Sequence, residues 1–368
     1  MADDLRALVD SARVPGIRHV VVSAQAILSD RSCGWADLPS RRPVDARTTL
    51  MAYSMSKTIT AAAVLQLVDA RQIALDDPIA RYVPSQPYGD RVTVRQLLSH
   101  TSGIPNPIPL RWVHPASEHA SFDEAAALDA VLRRHPKLSF EPGTRFRYSN
   151  IGYWLLGPIV ERAAGQPFTA YVAEHVVRRL SLDAADLGYT IVDRDRHASG
   201  YLERFSLMNL VKPLLIDRRL IGGATGRWQQ ILDHYPNGPA FGGLVGTAVA
   251  FARVLQDQLA PSSMVLGDRA RELFFEPQRT TRGPVMMTLG WHMGSDRGRA
   301  FYFKEGGGGG FHCLMRLYRE AGRGSVVMTN ATAFDVHAAL SALDAEFFSG
   351  EGVPPESRAR SQSPAASL

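Results

Sequence analysis

The period of the apolar positions changes twice along this chain. Residues Arg18 to Leu28 form a run rich in Val and Ile that predicts a β-strand, and Arg31 to Ala36 offers its hairpin partner. A short helix is predicted ahead of them, from Asp4 to Ser11. From Lys57 to Arg71 the residues are apolar nearly all round, the pattern of a helix buried on most faces. Between residues 75 and 280 the helical period dominates, punctuated by Pro and Gly, with helices predicted at Val92 to His100, Phe122 to Arg134, Gly152 to Ala164, Phe168 to Leu180 and Thr247 to Leu259. Past Pro284 the strand period returns, at Met286 to Met293, Arg299 to Lys304, Phe311 to Tyr318 and Gly324 to Thr329, before a last helix from Phe334 to Phe347.

Strands at both ends with helices between them predict an α/β fold of the α+β type. An antiparallel sheet is assembled from the two termini and flanked by helices, and it carries an inserted, mainly helical domain. The expected division is residues 1–74 with 285–349 for the sheet domain and 75–284 for the helical one. The segment 350–368, with Pro354, Pro355 and mixed Ser, Arg and Ala, has no period and reads as a disordered tail.

Composition narrows the function classes. Of 368 residues, 45% are hydrophobic and 21% charged, which excludes a disordered, collagen-like or coiled-coil chain. The net charge of +5 is spread among interleaved acids and arginines, so the clustered basic face of a nucleic-acid binder is absent. Lysine is scarce: Lys57, Lys137, Lys212 and Lys304 are the whole set. Cys33 and Cys313 are too few for a disulfide framework or a four-cysteine zinc site, and no H-E-x-x-H cluster occurs, so neither a metal nor another cofactor is expected. The first residues are acidic where a secretory leader is basic, and no run of about 18 apolar residues exists. The expectation is a soluble, cytoplasmic protein whose partner is a small molecule and whose oligomeric state the sequence leaves open.

Three short segments carry the candidate chemistry. Ser54 and Lys57 stand three residues apart at the start of the long apolar helix, on one face of it, with Ser54 near the positive end of the helix dipole. A lysine there needs partners, and beside a serine it can take a proton or hold a base in place. Tyr148-Ser149-Asn150 supplies a phenol and an amide where another helix begins, after the turn Glu141-Pro142-Gly143-Thr144. Lys304-Glu305-Gly306 ends a strand and opens the glycine run that reaches Phe311. That run lacks the G-K-[ST] of a phosphate loop, and no G-x-S-x-G elbow is present. Two of the four lysines therefore fall in these segments.

In this order and with these separations the segments resemble the S-x-x-K, Y-x-N and K-x-G motifs of the serine β-lactamase and penicillin-binding-protein superfamily. The likeness is to the branch that holds class C β-lactamases and family VIII carboxylesterases. Supporting segments are similar too: Leu75-Asp76-Asp77-Pro78-Ile79, Val94 to Gly103, Gly242-Gly243-Leu244-Val245 and Gly290-Trp291. The resemblance implies Ser54 as nucleophile and either Tyr148 or Lys57 as general base, with the expectation leaning to a Tyr148 phenolate. It implies an oxyanion hole from the N–H groups of Ser54 and Gly307, and supporting roles for Asn150, Lys304, Glu305 and Gly306. His100 reads as a structural helix-end residue.

Glu305 stands where β-lactamases and D,D-peptidases usually carry Thr or Ser. A carboxylate lining the cleft would repel a substrate carboxylate, so the expected substrate is a neutral ester. The implied activity is a serine esterase working through an acyl-enzyme. The alternatives are a β-lactamase or D-amino-acid peptidase, an acyltransferase, and a noncatalytic protein of the same fold. The segment Phe205 to Ile221 is expected to supply an acyl pocket, a lid or an ordinary core helix, with Arg218 and Arg219 beside it.

Overall fold

A computed structural model of the chain describes residues 2–11, 13–107, 112–204, 217–332 and 334–348. Most of the segment expected to form a pocket or lid, and the expected tail, lie outside the described residues. Helix α1 (Ala2–Asp10) precedes strands β1 (Gly16–Val22), β2 (Ile27–Asp37) and β3 (Arg42–Pro43). Helix α2 (Ser56–Asp69) follows, then α3 (Glu124–Arg134), α4 (Asn150–Ala164), α5 (Ala248–Leu259) and α6 (Asp268–Phe275). Strands β4 (His292–Asp296), β5 (Arg299–Gly308), β6 (Phe311–Tyr318) and β7 (Arg323–Thr329) lead to α7 (Val336–Asp344).

The seven strands form one antiparallel sheet in the order β4-β5-β6-β7-β1-β2-β3, so the two ends of the chain meet where Val20 pairs with Val326. This is the expected architecture. Both faces of the sheet are covered, which is why all seven residues of β1 are buried rather than every second one. Val20, Val22, Met315, Val326 and Met328 pack into a core shared with α2 and α5, while Ile17, Leu314 and Val327 pack against α1 and α7. Among the described residues no helix is long and apolar enough to cross a membrane.

Helix α2 is the central beam: twelve of its fourteen residues are buried, and Ala61-Ala62-Ala63 let neighbours approach closely. It ends where Arg71 adopts φ +60° and Gln72 N–H bonds Leu67 O at 2.9 Å. Helix α4 is capped at both ends. Ser149 Oγ accepts from Gly152 N–H at 3.0 Å, and Gly165, at φ +70°, closes the last turn on Glu161 O.

Several elements differ from the sequence reading. The predicted strand from Met286 starts only at His292, because Gly290 turns the chain at φ +119° to bury Trp291. The predicted helix Phe168 to Leu180 is α-helical to Val172, then π-helical to Val177 and 3-10 to Leu180. The middle of the chain also contains small sheets. Gly200–Glu203, Trp228–Ile231 and Ile221–Thr225 form one, and Val245–Thr247 pairs with Thr49–Met51 just before Ser54. That last pairing, continued by Ala52 N–H to Leu244 O at 2.8 Å, fixes where α2 begins.

Candidate active site

Ser54 lies in a single 3-10 turn, Tyr53–Met55, that runs straight into α2. The turn's first bond is from Met55 N–H to Ala52 O at 3.0 Å, so the Ser54 N–H precedes the hydrogen-bonded part of the turn. Tyr53 holds φ +43°, a conformation that costs a bulky residue about 1–3 kcal/mol and persists only where its surroundings enforce it. One turn on, Lys57 is fully buried with its Nζ 2.9 Å from Ser54 Oγ, 2.7 Å from Asn150 Oδ1 and 2.6 Å from Phe241 O. Tyr148 comes from the chain entering α4, and its hydroxyl donates to Ser54 Oγ at 2.7 Å.

The lysine's partners decide its chemistry. Asn150 Oδ1 and Phe241 O only accept, so they consume two N–H groups, and the third direction points at Ser54 Oγ. Burial, and after it the charge of Lys304, push the Lys57 pKa well below that of an ordinary lysine. In the neutral amine the lone pair therefore faces the serine hydroxyl. Tyr148 moves the other way: burial raises its phenol pKa, with Glu305 adding to the rise and the Ser54 hydrogen bond opposing it. Burial therefore disfavours the Tyr148 phenolate to which the sequence expectation leaned. Desolvation penalises the phenolate's charge, and it is the largest of the influences on this hydroxyl.

Lys304, on β5, is fully buried with no hydrogen-bond partner for Nζ among the described residues. It lies 5.4 Å from the ring centre of Tyr148 and 5.6 Å from that of Tyr153. Burial lowers its pKa to about 7, against an upward pull from Glu305. The same strand supplies the glycines. A Cβ at Gly306 would fall 2.0 Å from Ala52 O, and one at Gly308 would fall 2.4 Å from the Tyr53 ring, so only glycine lets β5 lie against the serine turn. Gly307 stands between these two contacts.

Glu305 is the correction among the predicted residues. It pairs with Leu314 in the ladder whereas Lys304 pairs with Met315, so the two side chains leave opposite faces of the sheet. Its carboxylate accepts from His312 Nε2 at 2.6 Å and from His337 Nε2, on α7, at 3.0 Å. Burial alone would raise its pKa, but the two histidine bonds outweigh burial and hold it below the usual carboxylate range. The charge is committed to the α7 side, and the argument that Glu305 repels substrate carboxylates in the cleft falls with it.

Around these the structure places further residues, of which the sequence reading had singled out His100 alone, as a structural helix-end residue. Asn106 Oδ1 accepts from Asn150 N–H at 2.9 Å, and the Phe241 carbonyl completes the set around Lys57. His100, at a helix end with φ +56°, accepts Ser149 N–H at Nδ1 and packs its ring 4.4 Å from that of Tyr148. His292 stacks on Tyr148 at 6.2 Å. A backbone carbonyl leaves no sequence signature, but His100 lay within a segment already marked by its resemblance.

The chain is similar in sequence and in fold to known proteins. Esterase EstB of Burkholderia gladioli is 33% identical over 224 residues, 55% of this chain and 55% of that protein. Penicillin-binding protein 4* of Bacillus subtilis (strain 168) is 30% identical over 146 residues, 40% of this chain and 32% of its own length. The chain thus spans only about a third to a half of these curated relatives. Among solved structures, the D-amino acid amidase from Ochrobactrum anthropi SV3 complexed with L-phenylalanine superposes with a TM-score of 0.78 at 21% identity, covering 95% of this chain and 99% of the other. The octameric penicillin-binding protein homologue from Pyrococcus abyssi gives 0.75 at 21%, over 94% and 77%. These two likenesses establish the fold. The family model named Beta-lactamase matches residues 1–347, and the chain belongs to that family, whose members are serine hydrolases.

Proposed function

We propose that this protein is a serine hydrolase that cleaves carboxylic esters through an acyl-enzyme on Ser54. The observation that carries the reading is the convergence of Lys57 Nζ and Tyr148 Oη on Ser54 Oγ, at 2.9 and 2.7 Å, from two separate parts of the chain. Neutral Lys57 takes the hydroxyl proton as Oγ attacks the ester carbonyl carbon. The resulting oxyanion is received by the N–H groups of Ser54 and Gly307, each such donor contributing about 3 kcal/mol. Collapse of the tetrahedral species expels the alcohol, protonated from the Lys57 ammonium or through the Tyr148 hydroxyl, and leaves the acyl group on Ser54. Water then repeats the sequence, with Lys57 again as base. Asn150 and the Phe241 carbonyl hold the amine in place, and Lys304 keeps the potential at the site positive.

Esters are preferred over amides in this reading because EstB is named an esterase and because an alcohol leaves more readily than an unprotonated amine. The test measures turnover of p-nitrophenyl acetate and butyrate against a chromogenic cephalosporin and a D-amino-acid amide. Ester turnover is expected to dominate and to fall by about 10³-fold or more in Ser54→Ala. Full ester turnover in that variant would remove the nucleophile, and faster cephalosporin or amide turnover would replace the substrate class.

A further inference from the structure

Tyr53, next to the proposed nucleophile, is 7% exposed, and its ring lies against Gly308 so closely that no Cβ fits there. Its hydroxyl lies 2.8 Å from His234 Nε2 and 3.0 Å from Gly309 O, and its single hydrogen is shared between these two acceptors. His234 is 3% exposed and sits on the short strand His234–Pro236. Its Nδ1 is 2.8 Å from Leu232 O, which only accepts, so Nδ1 carries the hydrogen and a neutral ring offers Nε2 to Tyr53 as an acceptor. Burial lowers the pKa of this imidazole, in keeping with a neutral ring. The imidazole also faces the chain just past β5: a Cβ at Gly309 would lie 3.3 Å from it.

The arrangement has a consequence for the N–H pair assigned to the oxyanion. Tyr53 is the residue before one donor, Ser54, while Gly308 and Gly309 are the two residues after the other, Gly307. A side chain that holds the first to the second sets the spacing of the two donors. We infer that Tyr53 and His234 form a clamp that fixes the separation of the Ser54 and Gly307 N–H groups, which makes both of them positioning residues. The inference rests on the acyl-enzyme reading above. It also gives the strained φ of Tyr53 a purpose, because that conformation is what aims the ring at the glycine strand.

The test is Tyr53→Phe, which keeps the ring packing and removes only the hydroxyl. The expected result on p-nitrophenyl butyrate is about a tenfold fall in kcat with KM within about twofold, since donor alignment matters chiefly to the tetrahedral state. Affinity for a boronic acid, which adds to the serine oxygen to form a tetrahedral adduct, should weaken by a similar factor. His234→Leu should match Tyr53→Phe, His234→Gln should restore most of the activity, and the double variant Tyr53→Phe/His234→Leu should be no worse than either single one. A purely structural role predicts an earlier melt with unchanged kcat and boronate affinity well below the melting temperature, and that result overturns the clamp. So does a double variant whose losses multiply. Ser54→Ala separates the two levels: retained ester turnover there sinks the acyl-enzyme reading, whereas a dead Ser54→Ala beside a fully active Tyr53→Phe sinks the clamp alone.

Discussion

A lysine buried without a hydrogen-bond partner is a cost to folding, and Lys304, which has none among the described residues, bears that cost at the heart of the site. Its pKa falls from 10.5 when exposed to about 7 in the folded chain, so between those values the unfolded chain binds more protons. Stability therefore rises with pH across that window and is lowest below it. Lys304→Met is expected to stabilise the protein by about 3 kcal/mol near neutral pH, with the gain vanishing at strongly alkaline pH. It should also cripple ester turnover. Because the Lys304 charge helps lower the Lys57 pKa, whatever rate remains should show its acid limb moved to higher pH. Denaturant melts at several pH values and a pH–rate profile check both halves, and a destabilised variant would contradict the burial argument. At this scale Ser54, Lys57, Tyr148 and Asn150 were legible because each lies in a short motif at a helix start. Glu305 was misplaced because its residue type does not say which face of β5 it occupies. Only the register, Glu305 opposite Leu314, decides that.

The elements that meet at the site are held by close backbone approach, and Gly306 is where this is tightest. Gly306→Ala places a methyl group 2.0 Å from Ala52 O, so strand β5 or the serine turn must move. The expected result is a loss of roughly 3 kcal/mol in stability together with loss of turnover. Gly152→Ala is the matched control: its nearest neighbours would be at an ordinary 3.6 Å, and inside α4 it should be neutral or stabilising by up to about 1 kcal/mol. Thermal melts of the two variants side by side would expose a wrong reading of the contact. Strands β1, β2, β5, β6 and β7 of the large sheet and the beam α2 were readable from their patterns. The strands at Thr49–Met51 and Val245–Thr247 were not, since three residues are too short to display a period of two. The π-helical stretch after Val172 likewise continues an apolar pattern that looks α-helical.

Across the whole molecule the two ends of the chain are locked together by a buried polar group that no local pattern announces. Asp344 on α7 is 3% exposed and accepts from Tyr318 Oη at 3.0 Å and Ser325 Oγ at 2.7 Å, with His19 Nε2 at 3.2 Å from β1. Asp344→Ala strands these three buried groups and should cost about 3 kcal/mol, while kcat on esters measured well below the melting temperature stays unchanged. A fall in kcat at unchanged stability would mean that α7 takes part in the chemistry. The assembly of the sheet from both termini was legible, because the apolar period switches from two to helical and back. The buried pairing of residues 325 positions apart was not.

Strand order also fixes when the protein can become reactive during its manufacture. A nascent chain on the ribosome exposes Ser54, Lys57 and Tyr148 long before Gly307 has been translated, and β1 lacks its β7 neighbour until residue 329 is made. A chain stalled in its middle therefore carries a serine with no oxyanion site and a half-built sheet. In the proposed reading hydrolysis waits until Gly307 and then β7 have been made, and the pairing that completes the sheet joins Ile17 to Thr329, so folding should be slow compared with that of the helices.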